Sequence, residues 1–239
     1  MRQLTPRIRN QRALRRRPQI VATAAVANDT RLVPGPRPYE EILHESFAST
    51  IREADAYFMK SGRLYETLRR LAETLDREGI PYALVGGMAL GELGYVRMTD
   101  DVDVLMNADG LRRFAEHCVG RGYTHPDARR SFRDTESGVR IEVLVAGEFA
   151  GDGKPKAIAS PDPAGTPAGA DGLRVLDLVR LIELKLASGM TAPHRLRDLA
   201  DVQELIKASN LRVDVADQLD ASVREKYLEL WRAAAERQD

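Results

Sequence analysis

Two adjacent glycines, placed directly after a four-residue apolar run, limit this chain more than any other feature. Tyr82-Ala83-Leu84-Val85 has the length and character of a short buried strand, and Gly86-Gly87 follows it with no linker. Met88–Leu93 then reads as a short helix. Paired glycines between a strand and a helix let the backbone approach a ligand closely. They also aim the first N–H groups of the helix at it, an arrangement suited to phosphate. After thirteen intervening residues comes Asp101-Val102-Asp103. Residues two apart on a strand project to the same side, so these carboxylates stand next to each other. Their repulsion calls for a cation, and a hard divalent ion such as Mg²⁺ prefers oxygen ligands. Val102, Val104 and Leu105 are apolar and anchor the strand in a core. A lone Asp-x-Asp is more often a solvated strand face. In this order and at this spacing, a phosphate cradle followed by metal-binding carboxylates is the equipment of phosphoryl or nucleotidyl transfer.

The residues just before the carboxylate pair fit the same reading. Thr99 can steady the turn and Arg97 can offset negative charge, so both join Gly86 and Gly87 as candidate nucleotide-binding residues. Asp100 alternates to the opposite face from Asp101 and is expected to be a solvated or capping acid.

The surrounding pattern is α+β. Tyr39–Lys60 reads as one helix with Ile42, Phe47, Ile51 and Ala54 on its apolar stripe. Arg63–Glu78 reads as another, striped by Leu64, Leu68, Leu71 and Leu75. Gly79-Ile80-Pro81 stops it, because Gly suits the C′ position and Pro cannot continue a helix. Asp101–Leu105 is a strand and Leu111–Arg121 a helix, with Cys118 in the core. Ser131–Thr135 and Val139–Val145 form a hairpin. Residues 147–172, rich in Gly and Pro, are a long loop of the kind that is functional or disordered. From Leu176 onward the pattern is helical: Leu176–Ser188, His194–Ala208, and one or two more helices to Arg237. The expected organisation is a tail (1–38), an α/β core with leading helices (39–172), and a C-terminal helical region (173–239) that completes the active site.

Charge separates the tail from the rest. Residues 1–37 hold nine arginines against one acid, Asp29, for a net of +8; the whole chain sums to zero, so the remainder carries −8. Ile20–Ala27 follows the Arg-rich start and has the outline of a secretion signal, but at about eight residues it is at the short limit. The expected reading is a disordered basic tail, or a start assigned too far upstream, on a cytoplasmic protein. No apolar run approaches the ~20 residues of a membrane span. The single cysteine excludes an intrachain disulfide framework and a Cys-based zinc site. Aromatics make up only 5% of the residues, too few to suggest a stacking platform for single-stranded nucleic acid.

Gly86-Gly87-Met88-Ala89-Leu90, then Arg97-x-Thr99-x-Asp101-x-Asp103, resembles the nucleotidyltransferase superfamily of the DNA polymerase β type. The branch it looks most like contains the AbiEii toxins and the small antibiotic nucleotidyltransferases, over roughly residues 63–209. The resemblance implies a mixed β-sheet with flanking helices, and a nucleoside triphosphate (NTP) held at the glycines. It also implies Mg²⁺ on Asp101 and Asp103 and a third carboxylate on a later strand. Arg140-Ile141-Glu142-Val143-Leu144 supplies an apolar–acid–apolar context for it. Glu142 stands where Asp is commoner, and its bland alternative is a surface Glu paired with Arg140 or Arg133. In the AbiEii group a Lys on one helix and an Arg-Asp shortly after belong to the active site, which points here to Lys185 and Asp198. Lys185 lies on the apolar face of its helix with Leu181 and Ile182 and is expected to face a pocket and contact the triphosphate there, as a further nucleotide-binding residue. Asp198 is expected to hold Lys185 or to contact substrate, against the alternative of a plain interhelix salt bridge. Arg195, Arg197 and Asp201 read as solvated or as supports of the site, and His194 as a helix N-terminal residue. The implied acceptors are tRNA, protein or a small molecule such as an antibiotic, with an antitoxin partner in the toxin case. A noncatalytic nucleotide-binding scaffold is the third alternative. The −8 of the body argues against a polyanionic acceptor unless the tail or an Arg129, Arg130, Arg133 patch supplies the contacts.

Overall fold

The computed structural model describes residues 36–126 and 130–236. The basic tail up to residue 35, Arg129 of the arginine patch, and Arg237 lie outside the described residues. The fold is α+β. One five-stranded mixed sheet, ordered β1-β2-β5-β4-β3, is flanked by helices and followed by a helical C-terminal part. Its strands are β1 (Tyr82–Leu84), β2 (Asp101–Met106), β3 (Tyr123–Thr124), β4 (Ser131–Asp134) and β5 (Arg140–Val145). Strand β2 runs antiparallel to β1 and parallel to β5. The β4–β5 hairpin forms as expected, and β3 adds a short edge paired to β4. Two residues are too few to show an alternation, which is why the sequence pattern does not reveal β3.

Two short helices, α1 (Tyr39–His44) and α2 (Phe47–Phe58), replace the single helix expected over Tyr39–Lys60. Ser46 adopts an extended conformation between them, and its hydroxyl accepts the backbone N–H of Ser49. It is an N-cap, and it resets the helical phase. The expected stripe is broken as a result. Phe47 is 82% exposed and Ile51 is exposed, while Ser49 and Tyr57 face inward. Helix α3 (Gly62–Arg77) keeps its expected stripe, with Leu64, Leu68, Leu71 and Leu75 all buried. It ends in a left-handed Gly79 with φ +61°, and the N–H of Ile80 reaches back 2.8 Å to the carbonyl of Leu75. That six-to-one bond is the Schellman cap that glycine permits.

The short helix α4 (Gly86–Glu92) begins on the glycine pair itself. Helix α5 (Ala108–Cys118) starts three residues before the expected Leu111, because Asn107 caps it by accepting the N–H of Gly110. Residues 147–172 form no helix or strand named in the element order, yet they are tied down. Lys156 donates to the carbonyl of Ala150, to Asp152 and to Thr191 at 2.6–2.9 Å.

Helix α6 (Leu178–Thr191) is the most enclosed, with every residue from Leu181 to Gly189 buried. Asp177 caps it by accepting the N–H of Arg180. A single 3₁₀ turn (Pro193–Arg195) leads into α7 (Leu196–Ala208). A β-carbon on Gly189 would lie 2.6 Å from Cγ of Leu199, so α6 and α7 approach closely there. A second 3₁₀ segment (Val213–Gln218) precedes α8 (Ala221–Ala235). Buried Glu183 of α6 accepts the N–H of Asp220 at 2.7 Å, tying α6 to the start of α8. One apolar core takes in residues of α3, the sheet and α6 to α8. The C-terminal helices therefore pack on the same core as the sheet that carries the carboxylates. No helix among the described residues is long and apolar enough to cross a membrane.

Candidate active site

The parallel register of β2 and β5 decides where the carboxylates meet. Asp103 pairs with Glu142 and Asp101 with Arg140, so all four side chains project from the same face of the sheet. Asp101, Asp103 and Glu142 each offer an oxygen within 4.8 Å of the others, and they are the one such metal-capable group among the described residues. The hydroxyl of Thr99 donates to Oδ1 of Asp101 at 2.7 Å. Arg140 spans the cluster, with Nη2 at 3.1 Å from Oδ2 of Asp101 and Nη1 at 3.1 Å from Oε1 of Glu142. Asp103 sits deeper. Burial, reinforced by the charges of Asp101 and Glu142, pushes its carboxyl up to about 7, while Lys185 and Arg195 pull the other way. An all-oxygen donor set of three carboxylates, one of them costly to ionise without a cation, fits a hard divalent ion such as Mg²⁺.

The glycine pair lies directly against this cluster. Gly86 has φ +64°, and a β-carbon there would fall 1.8 Å from Oδ2 of Asp103. The N–H of Val85 donates to the carbonyl of Asp103 at 3.0 Å, fixing the end of β1 beside β2. At Gly87 a β-carbon would stand 3.0 Å from Cβ of Thr99 and 3.3 Å from Nη1 of Arg97. Gly86 thus keeps backbone against the Asp103 carboxylate where any side chain would intrude, and Gly87 packs tightly on Thr99 and Arg97.

A buried ion-pair network backs the cleft. Lys185 donates to Oδ1 of Asp198 at 3.1 Å and to Oδ2 of Asp201 at 2.8 Å. Arg97 clamps Asp201 with Nε at 2.6 Å and Nη2 at 2.8 Å. Burial alone would raise the Asp201 carboxyl, but the bonds from Arg97 and Lys185 outweigh it and hold the group below the usual carboxylate range. Oδ2 of Asp198 also accepts from Ser188 Oγ at 2.6 Å and from Arg195 Nε at 2.9 Å.

All nine residues singled out in the sequence line one cleft of about 210 Å³: Gly86, Gly87, Arg97, Thr99, Asp101, Asp103, Glu142, Lys185 and Asp198. Asp100, His194, Arg195 and Arg197 line it too. Acid is gathered on the strands and basic charge on the α6–α7 side. A smaller cavity of about 60 Å³ adjoins it, sharing Asp103, Lys185 and Asp198 and walled by apolar Val85, Leu144, Ala150 and Leu184.

Several expectations need correction. Asp100 faces the cleft, because β2 begins only at Asp101 and strand alternation does not reach back to it. Asp201, read as solvated or as a support of the site, takes the second place: it is 2% exposed and joins Arg97 to Lys185. Lys185 lines the cleft and is bonded to Asp198, and the addition to the expectation is that it is buried and shared with a second carboxylate, Asp201. Of the arginine patch, Arg130 pairs with Glu148 and Arg133 with Glu40, so neither stands as an open cation. The sequence reading missed Ser188, although it precedes Gly189 by one and follows Lys185 by three, on the same helix face. Arg140 was legible as a partner of Glu142 but not of Asp101, because only the strand register brings those two together.

No family model matches the chain, and no curated protein matches it. Among solved structures, it is similar to the crystal structure of ANT(2″)-Ia in complex with adenylyl-2″-tobramycin. The TM-score is 0.41 and the identity 16%, over 72% of this chain and 98% of that one. The solution structure of the antibiotic-resistance factor ANT(2″)-Ia gives a TM-score of 0.41 and 19% identity, over 72% of this chain and 91% of that one. Likeness at that level leaves the side-chain geometry of the cleft as the ground for a functional reading.

Proposed function

We propose that the chain is an Mg²⁺-dependent nucleotidyltransferase that moves a nucleoside monophosphate from an NTP to an acceptor hydroxyl. The observation that carries this reading is the convergence of Asp101, Asp103 and Glu142 within 4.8 Å, against a glycine whose β-carbon would strike Asp103. A fold that keeps three acids together, with side-chain-free backbone packed directly against one of them, is arranged for a polyanion delivered with a divalent cation.

In this reading Asp101, Asp103 and Glu142 hold the ion, which when bound supplies the positive charge that offsets the phosphates during transfer. Gly86 and Gly87 admit the triphosphate to within backbone reach. Thr99 fixes the carboxylate of Asp101. Lys185, with Asp198 and Asp201 holding it, contributes positive potential at the floor of the cleft, and Arg97 keeps Asp201 in place. Glu142 is more exposed than Asp101, its side chain at 41% against 16%, a position that suits accepting a proton from the acceptor hydroxyl.

On the acceptor, two readings each have an observation. A toxin-type enzyme acting on tRNA or protein, silenced by an antitoxin, is supported by the basic first 37 residues and by the motif order. A small-molecule acceptor of cationic character, as in antibiotic modification, is supported by the −8 charge of the rest and by the acids lining the cleft. A noncatalytic scaffold would have no use for three converging carboxylates.

The test is thermal unfolding with and without NTP and Mg²⁺. The reading expects stabilisation by the two together that is lost in Asp103→Ala. Equal stabilisation of that variant would place nucleotide binding elsewhere and remove the basis of the reading.

A further inference from the structure

Arg140 stands where a bound cation would have to compete with it. Its guanidinium reaches Oδ2 of Asp101 and Oε1 of Glu142 at 3.1 Å each. Oδ1 of Asp101 already accepts from Thr99 at 2.7 Å, so both oxygens of that carboxylate are engaged. The position follows from topology. Arg140 and Glu142 are two apart on β5 and share a face, and the parallel register sets Arg140 opposite Asp101. The side chain is 36% exposed, so it can swing to solvent without unpacking a core.

We propose that Arg140 is an internal counter-cation of the carboxylate cluster, closing over Asp101 and Glu142 in the metal-free protein and released when a divalent ion is bound. This rests on the reading that the cluster holds a metal. A guanidinium and a divalent ion repel each other and need the same oxygens, so each weakens binding of the other. Arg140 therefore lowers the affinity for a free divalent ion while stabilising two acids, Asp101 and Glu142, that would otherwise repel. It is a positioning residue, acting through the carboxylates rather than on the reacting atoms.

The experiment is a titration of the full chain with Mn²⁺, read by the EPR signal of the free ion, alongside thermal unfolding in chelator. Arg140→Gln is expected to bind Mn²⁺ about five- to tenfold more tightly than wild type, as a nearby positive charge is removed. In chelator it is expected to melt at a lower temperature, a combination that loss of a merely structural contact would not give. Arg140→Lys keeps the charge and should restore an affinity near wild type. Arg140→Met, which keeps the aliphatic stem, repeats the test if the Gln variant folds poorly. An affinity in either folded variant that is equal to or weaker than wild type overturns the proposal. Asp103→Asn separates this from the reading beneath it: Mn²⁺ binding by wild type that vanishes in Asp103→Asn upholds the metal site even if Arg140 proves irrelevant. Absence of Mn²⁺ binding in wild type and all variants overturns both.

Discussion

A β-carbon on Gly86 would lie 1.8 Å from Oδ2 of Asp103, and Gly86 holds a φ of +64°. Gly86 opens α4 and Asp103 lies within β2, and the two are packed so closely that backbone and carboxylate share one surface. Gly86→Ala must therefore both strain the backbone and displace a proposed metal ligand. It is expected to cost at least about 2 kcal/mol in chemical denaturation and to weaken divalent-ion binding. Gly87→Ala meets Thr99 only at 3.0 Å and should cost less, about 1 kcal/mol. Equal stabilities for the two variants would show that the contact does not constrain the site.

Asp103 links the site to pH. Its carboxyl is pushed from the ordinary range up to about 7 by burial and by the neighbouring acids. The protonated form is thus favoured in the folded chain. The stability it contributes is fully present below the ordinary carboxylate range and is lost as pH rises through about 7. Asp103→Asn mimics the protonated group. In chelator, its melting temperature relative to wild type should rise by several degrees between about pH 5 and about pH 8.5. A pH-independent difference would mean that Asp103 is ionised throughout.

Asp201 is the joint of the ion-pair network, and its loss leaves Arg97 and Lys185 short of a partner in a buried setting. Asp201→Ala is expected to cost about 3–5 kcal/mol in urea denaturation. Asp198→Ala should cost less, because Lys185 keeps Asp201 and the side chain of Arg195 is 52% exposed. Since the Asp201 carboxyl is held below its ordinary range, its contribution is present above that range and lost as pH falls through the lowered value. The gap between wild type and Asp201→Ala should therefore narrow in acid. The reverse order of the two variants would show that Asp198 is the true anchor.

The α2 surface offers a contrast with the core. Phe47 is 82% exposed and Leu71 wholly buried. Phe47→Ser should change stability by less than about 0.5 kcal/mol, and Leu71→Ala should cost about 2–5 kcal/mol. A large loss in Phe47→Ser, measured by denaturation, would mean that this aromatic is covered in solution.

These residues also show what a sequence can and cannot reveal. The strand–glycine–helix passage and Asp101-x-Asp103 were readable because alternation and backbone freedom are local properties. The α3 stripe was readable for the same reason, since nothing interrupts its 3.6-residue period. The break at Ser46 was not, because a serine can be a helix residue or a cap, and only the packing of Tyr57 and Ser49 inward decides. Whether Asp201 was a solvated acid or a support of the site stayed open in the sequence, because its two cations come from a distant loop and a neighbouring helix. Arg140 reaching Asp101 depended on a parallel register that no local pattern encodes.

The central claim is nucleotidyl transfer directed by the carboxylate cluster. Its most direct test is to incubate the full chain with Mg²⁺ and each α-labelled NTP, in turn with total tRNA, with cellular protein, and with aminoglycosides or lincosamides. The account predicts that label passes to one of these acceptors, that chelator abolishes it, and that Asp101→Ala, folded as wild type, transfers none. Label in no acceptor with any NTP, or undiminished transfer by Asp101→Ala, would contradict it.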